Sequence, residues 1–278
     1  MYSGNGCCAL CRHTRELQDS HFVPKALYRL ARAADSNNAH PVMLSASGRR
    51  QTSRQAMRSL LCEECEKRFD RNGEDWMMKH CYRGRGVFRL RQRLEQFAPI
   101  YTDSDEAMVY SASEAGVDIG RLVYFCTSVI WRASVCDWPL FGRTYSALSL
   151  GKEYERQIRK YLLNEQAFPQ NAVLMVTVSQ LKRPPVVFTF PVSARVLGGH
   201  SHVFHIPGIT FLLLIGKGVD EESLGCCVLR SPFHPVFVCK DGDIRLQEGI
   251  LKALGKTTPR WGEYPLLEGV EPSVHSAK

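Results

Sequence analysis

The sequence has no long apolar stretch. Its longest candidate, Ile209–Ile215 with its neighbours, has the length of a buried strand rather than the roughly 20 residues of a membrane-spanning helix. The N-terminus lacks the positive charge and the apolar run that start a secretory signal. We therefore expect a protein that makes no membrane contact and resides in the cytoplasm.

The second half of the sequence also lacks the motifs of common enzyme classes. We find no glycine-rich phosphate-binding loop, no nucleophile elbow and no pair of carboxylates at a defined spacing. Residues 107–278 therefore have no chemistry that the sequence can assign to them.

Eleven cysteines are present, but their odd number, the 278-residue length and the missing export signal do not fit a disulfide scaffold. Reduced thiols and metal ligands are the expected states. A free cysteine among apolar residues behaves as a small hydrophobe. On that ground we expect five of them to be core residues, namely Cys126, Cys136, Cys226, Cys227 and Cys239.

The positive charge is concentrated in the first third of the chain. Residues 1–100 contain 18 Lys and Arg against 10 Asp and Glu, whereas residues 101–278 contain 18 of each. Such a field attracts a polyanion, because neutralised phosphates release their counterions. A solvated basic surface is the alternative interpretation.

Two C-x-x-C pairs predict a structural zinc site in residues 1–81. Each pair supplies two thiolates from one tight turn, and two pairs complete a tetrahedron. A redox dithiol is a poor alternative, because there is a second pair and no βαβ pattern. The predicted ligands are Cys8, Cys11, Cys62 and Cys65, although Cys7, His13 or Cys81 could replace one of them.

The segment between the two pairs, together with the second pair itself, resembles the HNH nuclease superfamily. The common family pattern reads Cys-x-x-Cys, Asp-His-x-x-Pro and Leu-Cys-x-x-Cys-Asn. After its first pair, this chain reads Ser20-His21-x-x-Pro24 and Leu61-Cys62-x-x-Cys65-Glu66. The resemblance covers about the first 80 residues and implies a zinc-stapled ββα-metal module.

The resemblance also implies roles for three residues. His21 falls at the position of the general base, and Glu66 at that of a ligand of a catalytic Mg²⁺ or Mn²⁺ ion. Ser20 replaces the usual Asp, a metal ligand, with a neutral hydroxyl. Two alternatives follow: an acidic neighbour (Asp70, Glu74 or Asp75) compensates, or the site is degenerate and keeps the zinc fold without cleavage.

Basic residues around this region could hold a phosphodiester backbone across the site, or could equally be solvated faces of helices and loops. The candidates are Lys25, Arg29, Arg54, Arg58, Arg83 and Arg85. Residues 83–93 place five arginines around Phe88, which predicts either phosphate contacts with one docking point or a basic helix start with its apolar residues in the core.

The overall prediction is an α+β protein in three parts. These are an HNH-like module (1–81), a basic connecting segment and linker (82–106), and an α+β domain of unknown role (107–278). Apolar spacing predicts a short helix after Pro24 and two amphipathic helices around 122–133 and 154–162. Strand-like runs predict an antiparallel meander from residues 172–178, 186–191, 202–206, 210–215, 227–229 and 235–239.

The predicted function is metal-dependent hydrolysis of phosphodiester bonds in nucleic acid, with DNA the more probable substrate. A catalytically degenerate module that binds nucleic acid or a protein is the alternative. The expected partner is nucleic acid, and a protein partner or self-association through the C-terminal domain is a further possibility.

Overall fold

A computed structural model of the chain describes residues 4–32, 42–45, 48–52, 54–103, 107–140, 143–196, 199–216 and 219–239. The fold is mixed α and β with largely antiparallel sheets. The helices are α1 (Lys25–Leu30), α2 (Glu63–Phe69), α3 (Asp75–His80), α4 (Arg89–Leu94), α5 (Ile119–Val135), α6 (Lys152–Leu162) and α7 (Glu221–Gly225). The strands are β1 (Asn5–Cys7), β2 (Thr14–His21), β3 (Val42–Ser45), β4 (Gly48–Gln51), β5 (Met57–Cys62), β6 (Tyr101–Asp103), β7 (Ala107–Ser111), β8 (Trp138–Leu140), β9 (Arg143–Tyr145), β10 (Ala172–Ser179), β11 (Val192–Val196), β12 (Gly199–Ile206), β13 (Ile209–Ile215) and β14 (Pro235–Cys239).

A three-stranded antiparallel sheet of order β1-β2-β5 forms the amino-terminal part. Strand β2 starts three residues after Cys11, and β5 ends at Cys62, which lies opposite Leu17 of β2. Pairing of β2 with β5 therefore brings the two cysteine pairs together. Helix α2 follows β5 at once and continues through a π-helical segment, Asp70–Glu74, into α3.

A seven-stranded sheet of order β11-β12-β13-β10-β14-β7-β6 forms the second layer. Strands β11, β12 and β13 form an antiparallel meander, but β10 pairs with β13 instead of β11, which departs from the predicted order. In addition, β14 runs parallel to β10, with Thr177 opposite Phe237. A parallel neighbour needs a crossover connection. Here the chain from β13 passes through α7 and reaches the other side of β10.

Helix α5 lies between the two layers and is buried along most of its length. Its Phe125 contacts Phe211 of the large sheet at 5.7 Å between ring centroids. Its Trp131 contacts Phe69 of α2 at 5.9 Å. One hydrophobic core thus extends from the cysteine-bearing part into residues 107–238.

The predicted helices are confirmed as α1, α5 and α6, and four predicted strands correspond to β10, β12, β13 and β14. Residues 186–191 form no strand. Thr189 bonds His205 O of β12 at 3.0 Å, but Phe188 and Phe190 pack on Tyr28 and Phe22. Residues 227–229 form a turn, in which the Val228 amide bonds Leu174 O at 2.9 Å.

The described part of the predicted linker, residues 82–103, contains α4 and the edge strand β6. Of the cysteines predicted in the core, Cys126 and Cys227 are buried, whereas Cys136, Cys226 and Cys239 are partly buried. Within the described part of the chain, no helix combines the length and apolarity needed to cross a membrane.

Candidate metal centre and the adjoining charged cluster

The four predicted zinc ligands lie together. The Sγ atoms of Cys8, Cys11, Cys62 and Cys65 all fall within 4.8 Å of one another. Three of these cysteines are buried and Cys11 is partly buried. We refer to them as the thiol cluster.

Local backbone geometry positions the first cysteine pair. The Arg12 amide donates to Cys8 O at 2.9 Å, and Arg12 adopts φ 65° to close the turn. The Ala9 amide donates to Leu60 O at 3.0 Å, which attaches this turn to β5. The Cys62 amide donates to Cys8 Sγ at 3.3 Å, as expected for a sulfur that carries negative charge.

The donor set and its spacing fit zinc. Four thiolates about 2.3 Å from the ion stand about 3.8 Å apart in a tetrahedron, and Cys11 Sγ and Cys62 Sγ are separated by 3.9 Å. A hydrogen bond from Cys65 lowers the pKa of Cys8 to about 4, and the same contact raises the pKa of Cys65. A cation at the centre would stabilise all four thiolates at once.

The alternative ligands lie outside the thiol cluster. Cys7 is exposed, and its thiol faces Arg12 O at 3.5 Å. Cys81 is buried next to Met78 O, and burial raises its pKa to about 12. The cluster therefore consists of the two regular pairs.

Next to the thiols lies a charged cluster, which we define as Ser20, His21, Glu66, Glu74 and Arg132. Ser20 is buried, and its hydroxyl donates to Glu66 Oε1 while accepting from the Leu61 amide at 3.1 Å. Burial raises the pKa of Glu66, whereas nearby Arg132 and the Ser20 hydrogen bond oppose that rise. The structure thus joins Ser20 and Glu66, which the sequence predicted to share one site.

Arg132 comes from α5, and its side chain is 1% exposed. It forms a salt bridge with Glu74 of the π-helical segment and donates to His21 O at 2.8 Å. Of the three acidic residues considered as compensators for Ser20, only Glu74 belongs to this cluster. Asp75 pairs with Lys79 at 2.6 Å on the surface, and Asp70 is exposed.

The His21 ring is half-buried, with its centroid 6.4 Å from that of Tyr28. Burial lowers its pKa, and the positive charges of Lys25 and Arg132 act in the same direction. The imidazole is therefore neutral at pH 7 and able to accept a proton.

A site for a second metal ion is not apparent among the described residues. The thiol cluster is the one group there in which three or more His, Cys, Asp or Glu ligand atoms converge. Glu66 and Glu74 do not join His21 in such a group. Within the described part of the chain, the structure therefore gathers no group of three such ligands around Glu66 for a catalytic divalent ion.

The six predicted nucleic-acid-binding residues are all exposed, namely Lys25, Arg29, Arg54, Arg58, Arg83 and Arg85. Arg58 also donates to Asp137 O at 2.6 Å. Phe88 and Leu90 are buried, as the core interpretation of residues 83–93 predicts, whereas Val87 is 40% exposed. In the same segment, Arg91 and Arg93 bind backbone carbonyls, including Gly116 O at 3.0 Å from Arg93.

Comparisons with protein-family models, with curated proteins and with solved structures give no match to this chain. The resemblance to HNH nucleases therefore depends on the motifs and on the geometry described above.

Sequence reasoning missed Arg132. The available signal was a charged residue within the apolar run 129–133 of an amphipathic helix, on the side that faces the core. A buried arginine needs an acidic partner, but spacing along the chain does not reveal that the partner is Glu74.

Proposed function

We propose that this protein is a zinc-stapled, HNH-like nucleic-acid-binding protein whose site holds no catalytic divalent ion. The order of elements supports the HNH-like assignment. Strand β2 ends at His21, β5 pairs with it, and α2 then carries Glu66. This order matches the ββα arrangement that the resemblance implies. The thiol cluster joins the turn before β2 to the end of β5 and the first turn of α2.

The hydrogen bond between Ser20 and Glu66 carries the proposal. Glu66 lies next to the neutral hydroxyl of Ser20 and not next to a second carboxylate at that position. This hydroxyl donates a hydrogen bond to Glu66. A divalent ion needs several oxygen ligands with net negative charge. A hydroxyl whose proton points at Glu66 presents no such ligand, so we assign this pair to structure rather than to ion binding.

Surface charge supports binding of a polyanion. Lys25 is exposed and close enough to act on the pKa of His21, and Arg54 is exposed next to Gln55, whose side chain contacts the same imidazole. A phosphate backbone crossing the His21 edge of the sheet would meet both cations. Contacts of this kind give affinity that depends on salt and little on sequence.

The test is binding of the full, zinc-loaded chain to labelled duplex DNA and to single-stranded RNA, measured by fluorescence anisotropy. We expect affinity to fall steeply as salt rises. The double variant Lys25→Ala/Arg54→Ala should bind about tenfold more weakly at low salt.

The matched control is Lys182→Ala/Arg183→Ala, which removes the same charge from an exposed segment of the second half. It should bind within about twofold of wild type, since its charges lie outside the basic third. An equal loss of affinity in both double variants, or no binding of nucleic acid by the wild type at low salt, would contradict the proposed interface.

A metal-dependent endonuclease is the second candidate, and the neutral, half-buried His21 favours it. In that case His21 would remove a proton from the attacking water. Cleavage of plasmid in Mg²⁺ or Mn²⁺ that is lost in both His21→Ala and Glu66→Ala, with zinc content unchanged, would establish this candidate. Cleavage by Ser20→Asp alone would instead identify a degenerate nuclease.

A further inference from the structure

Helix α5, from the part of the chain without recognisable motifs, contributes a positive charge to the HNH-like site. The guanidinium of Arg132 is bonded to Glu74 and to the carbonyl of His21. His21 directly follows Ser20, whose hydroxyl donates to Glu66. A buried cation thus lies beside the Ser20–Glu66 pair.

The guanidinium of Arg132 donates its hydrogen bonds to groups inside the protein. Its Nη2 atom bonds Glu74, its Nη1 atom donates to His21 O at 2.8 Å, and its Nε atom donates to Ser128 O at 3.4 Å. The Phe69 ring covers one face at 5.1 Å. A side chain that is 1% exposed and bonded in this way cannot reach a substrate, so Arg132 is a positioning residue.

We propose that Arg132 takes the place of a divalent ion in this site. It neutralises Glu74 next to the Ser20–Glu66 pair, and its bond to the carbonyl of His21 fixes the backbone that carries the candidate base. The inference rests on the proposed function in one respect, the absence of a divalent ion. It does not depend on whether the surface binds nucleic acid.

The first test is a titration of the full, zinc-loaded wild-type chain with Mn²⁺, in which free Mn²⁺ is followed by electron paramagnetic resonance. We expect no Mn²⁺ binding that depends on Glu66. A bound Mn²⁺ ion in wild type that Glu66→Gln removes would overturn the proposal. This outcome is independent of the anisotropy experiment, so failure of either proposal can be recognised separately.

The second test uses Arg132→Met, which keeps much of the side-chain volume and removes the charge. The two carboxylates then lack a counter-ion, and we expect Mn²⁺ binding at least about tenfold tighter than in wild type. Adding Glu66→Gln to that variant should abolish the gain. Arg132→Lys keeps a cation and should remain like wild type.

Arg121→Met is the matched control, because it removes an exposed arginine of α5 whose partner is Asp118 at 3.3 Å. It should not change Mn²⁺ affinity. A folded Arg132→Met chain with full zinc content and no gain in Mn²⁺ binding would contradict the proposal. If that variant fails to fold, the wild-type titration decides the question.

Discussion

The thiol cluster and the charged cluster lie side by side, but their negative charges are neutralised in different ways. The first brings together four ligands of one kind, within 4.8 Å of one another, and as thiolates they would repel unless a cation joined them. The second already contains a cation, because Arg132 is bonded to Glu74. One cluster therefore suits a metal ion, and in our proposal the other takes Arg132 in its place.

On the proposed function, this difference explains how the HNH-like arrangement would keep a structural metal without a catalytic one. The thiols join the turn before β2 to the end of β5 and the start of α2. The charged cluster links the β2–β5 pair to α5 through Arg132. The first three predictions below each disturb one cluster, and the fourth concerns a residue outside both.

The largest effect should come from Cys62→Ala, which removes one thiolate of the cluster. A structural zinc in a small domain contributes about 10 kcal/mol or more to folding. We expect loss of bound zinc and of the cooperative thermal transition, measured by elemental analysis and circular dichroism. Cys7→Ala, an exposed cysteine outside the cluster, should retain both properties. A Cys62→Ala chain that melts like wild type would be inconsistent with a structural role for the metal.

Glu74→Gln should have the next largest effect, since it leaves the buried Arg132 without its acidic partner. Breaking a buried pair is strongly destabilising, and for a carboxylate with 16% exposure we expect about 2–3 kcal/mol in urea unfolding. Zinc content should not change. Glu63→Gln breaks the exposed Glu63–Lys67 pair of α2 and should leave the free energy of unfolding as it is. Equal destabilisation by both variants would argue against a special role for Arg132.

Gly73→Ala should loosen the contact that delivers Arg132 to the site. A Cβ atom at Gly73 would lie 2.7 Å from the backbone N of Phe125, so α5 would have to move away. Overpacking of this kind costs about 1–3 kcal/mol. We expect that loss in urea unfolding with zinc retained. Gly120→Ala, whose Cβ would meet only Asp118 Oδ1 at 3.5 Å, is the control and should be neutral.

His205→Gln tests acid sensitivity outside both clusters and should have the smallest effect. Burial lowers the pKa of His205 to about 4, so the folded state keeps this imidazole neutral. The unfolded chain takes up the proton near pH 6.5, so stability falls as pH drops below that value. At pH 5.5 the wild type should lose about 1 kcal/mol more than His205→Gln in urea unfolding. Parallel pH profiles for the two proteins would refute this assignment.

The sequence could predict the thiol cluster because its ligands come in two local pairs. A C-x-x-C turn fixes two sulfur atoms regardless of the rest of the fold, and helix spacing predicted α5 and α6 for the same local reason. Strands were harder to predict. Residues 186–191 have strand composition, yet Phe190 stacks on Phe22 at 4.7 Å, a contact that no local pattern encodes.

The charged cluster could be predicted only in part. The motif joined Ser20, His21 and Glu66 through a family resemblance, but Glu74 and Arg132 are 58 residues apart in sequence. Their pairing results from the packing of α5 against the π-helical segment, which depends on the whole core. The division of the chain at residues 81 and 106 stays a prediction.

Metal content tests the central claim most directly. The purified full chain would be dialysed to equilibrium against buffer containing Zn²⁺ and Mn²⁺, and the bound ions would then be counted by elemental analysis. We predict one zinc per chain and no manganese above the buffer level. Folded protein without zinc, or a chain that holds one manganese in addition to its zinc, would contradict the account.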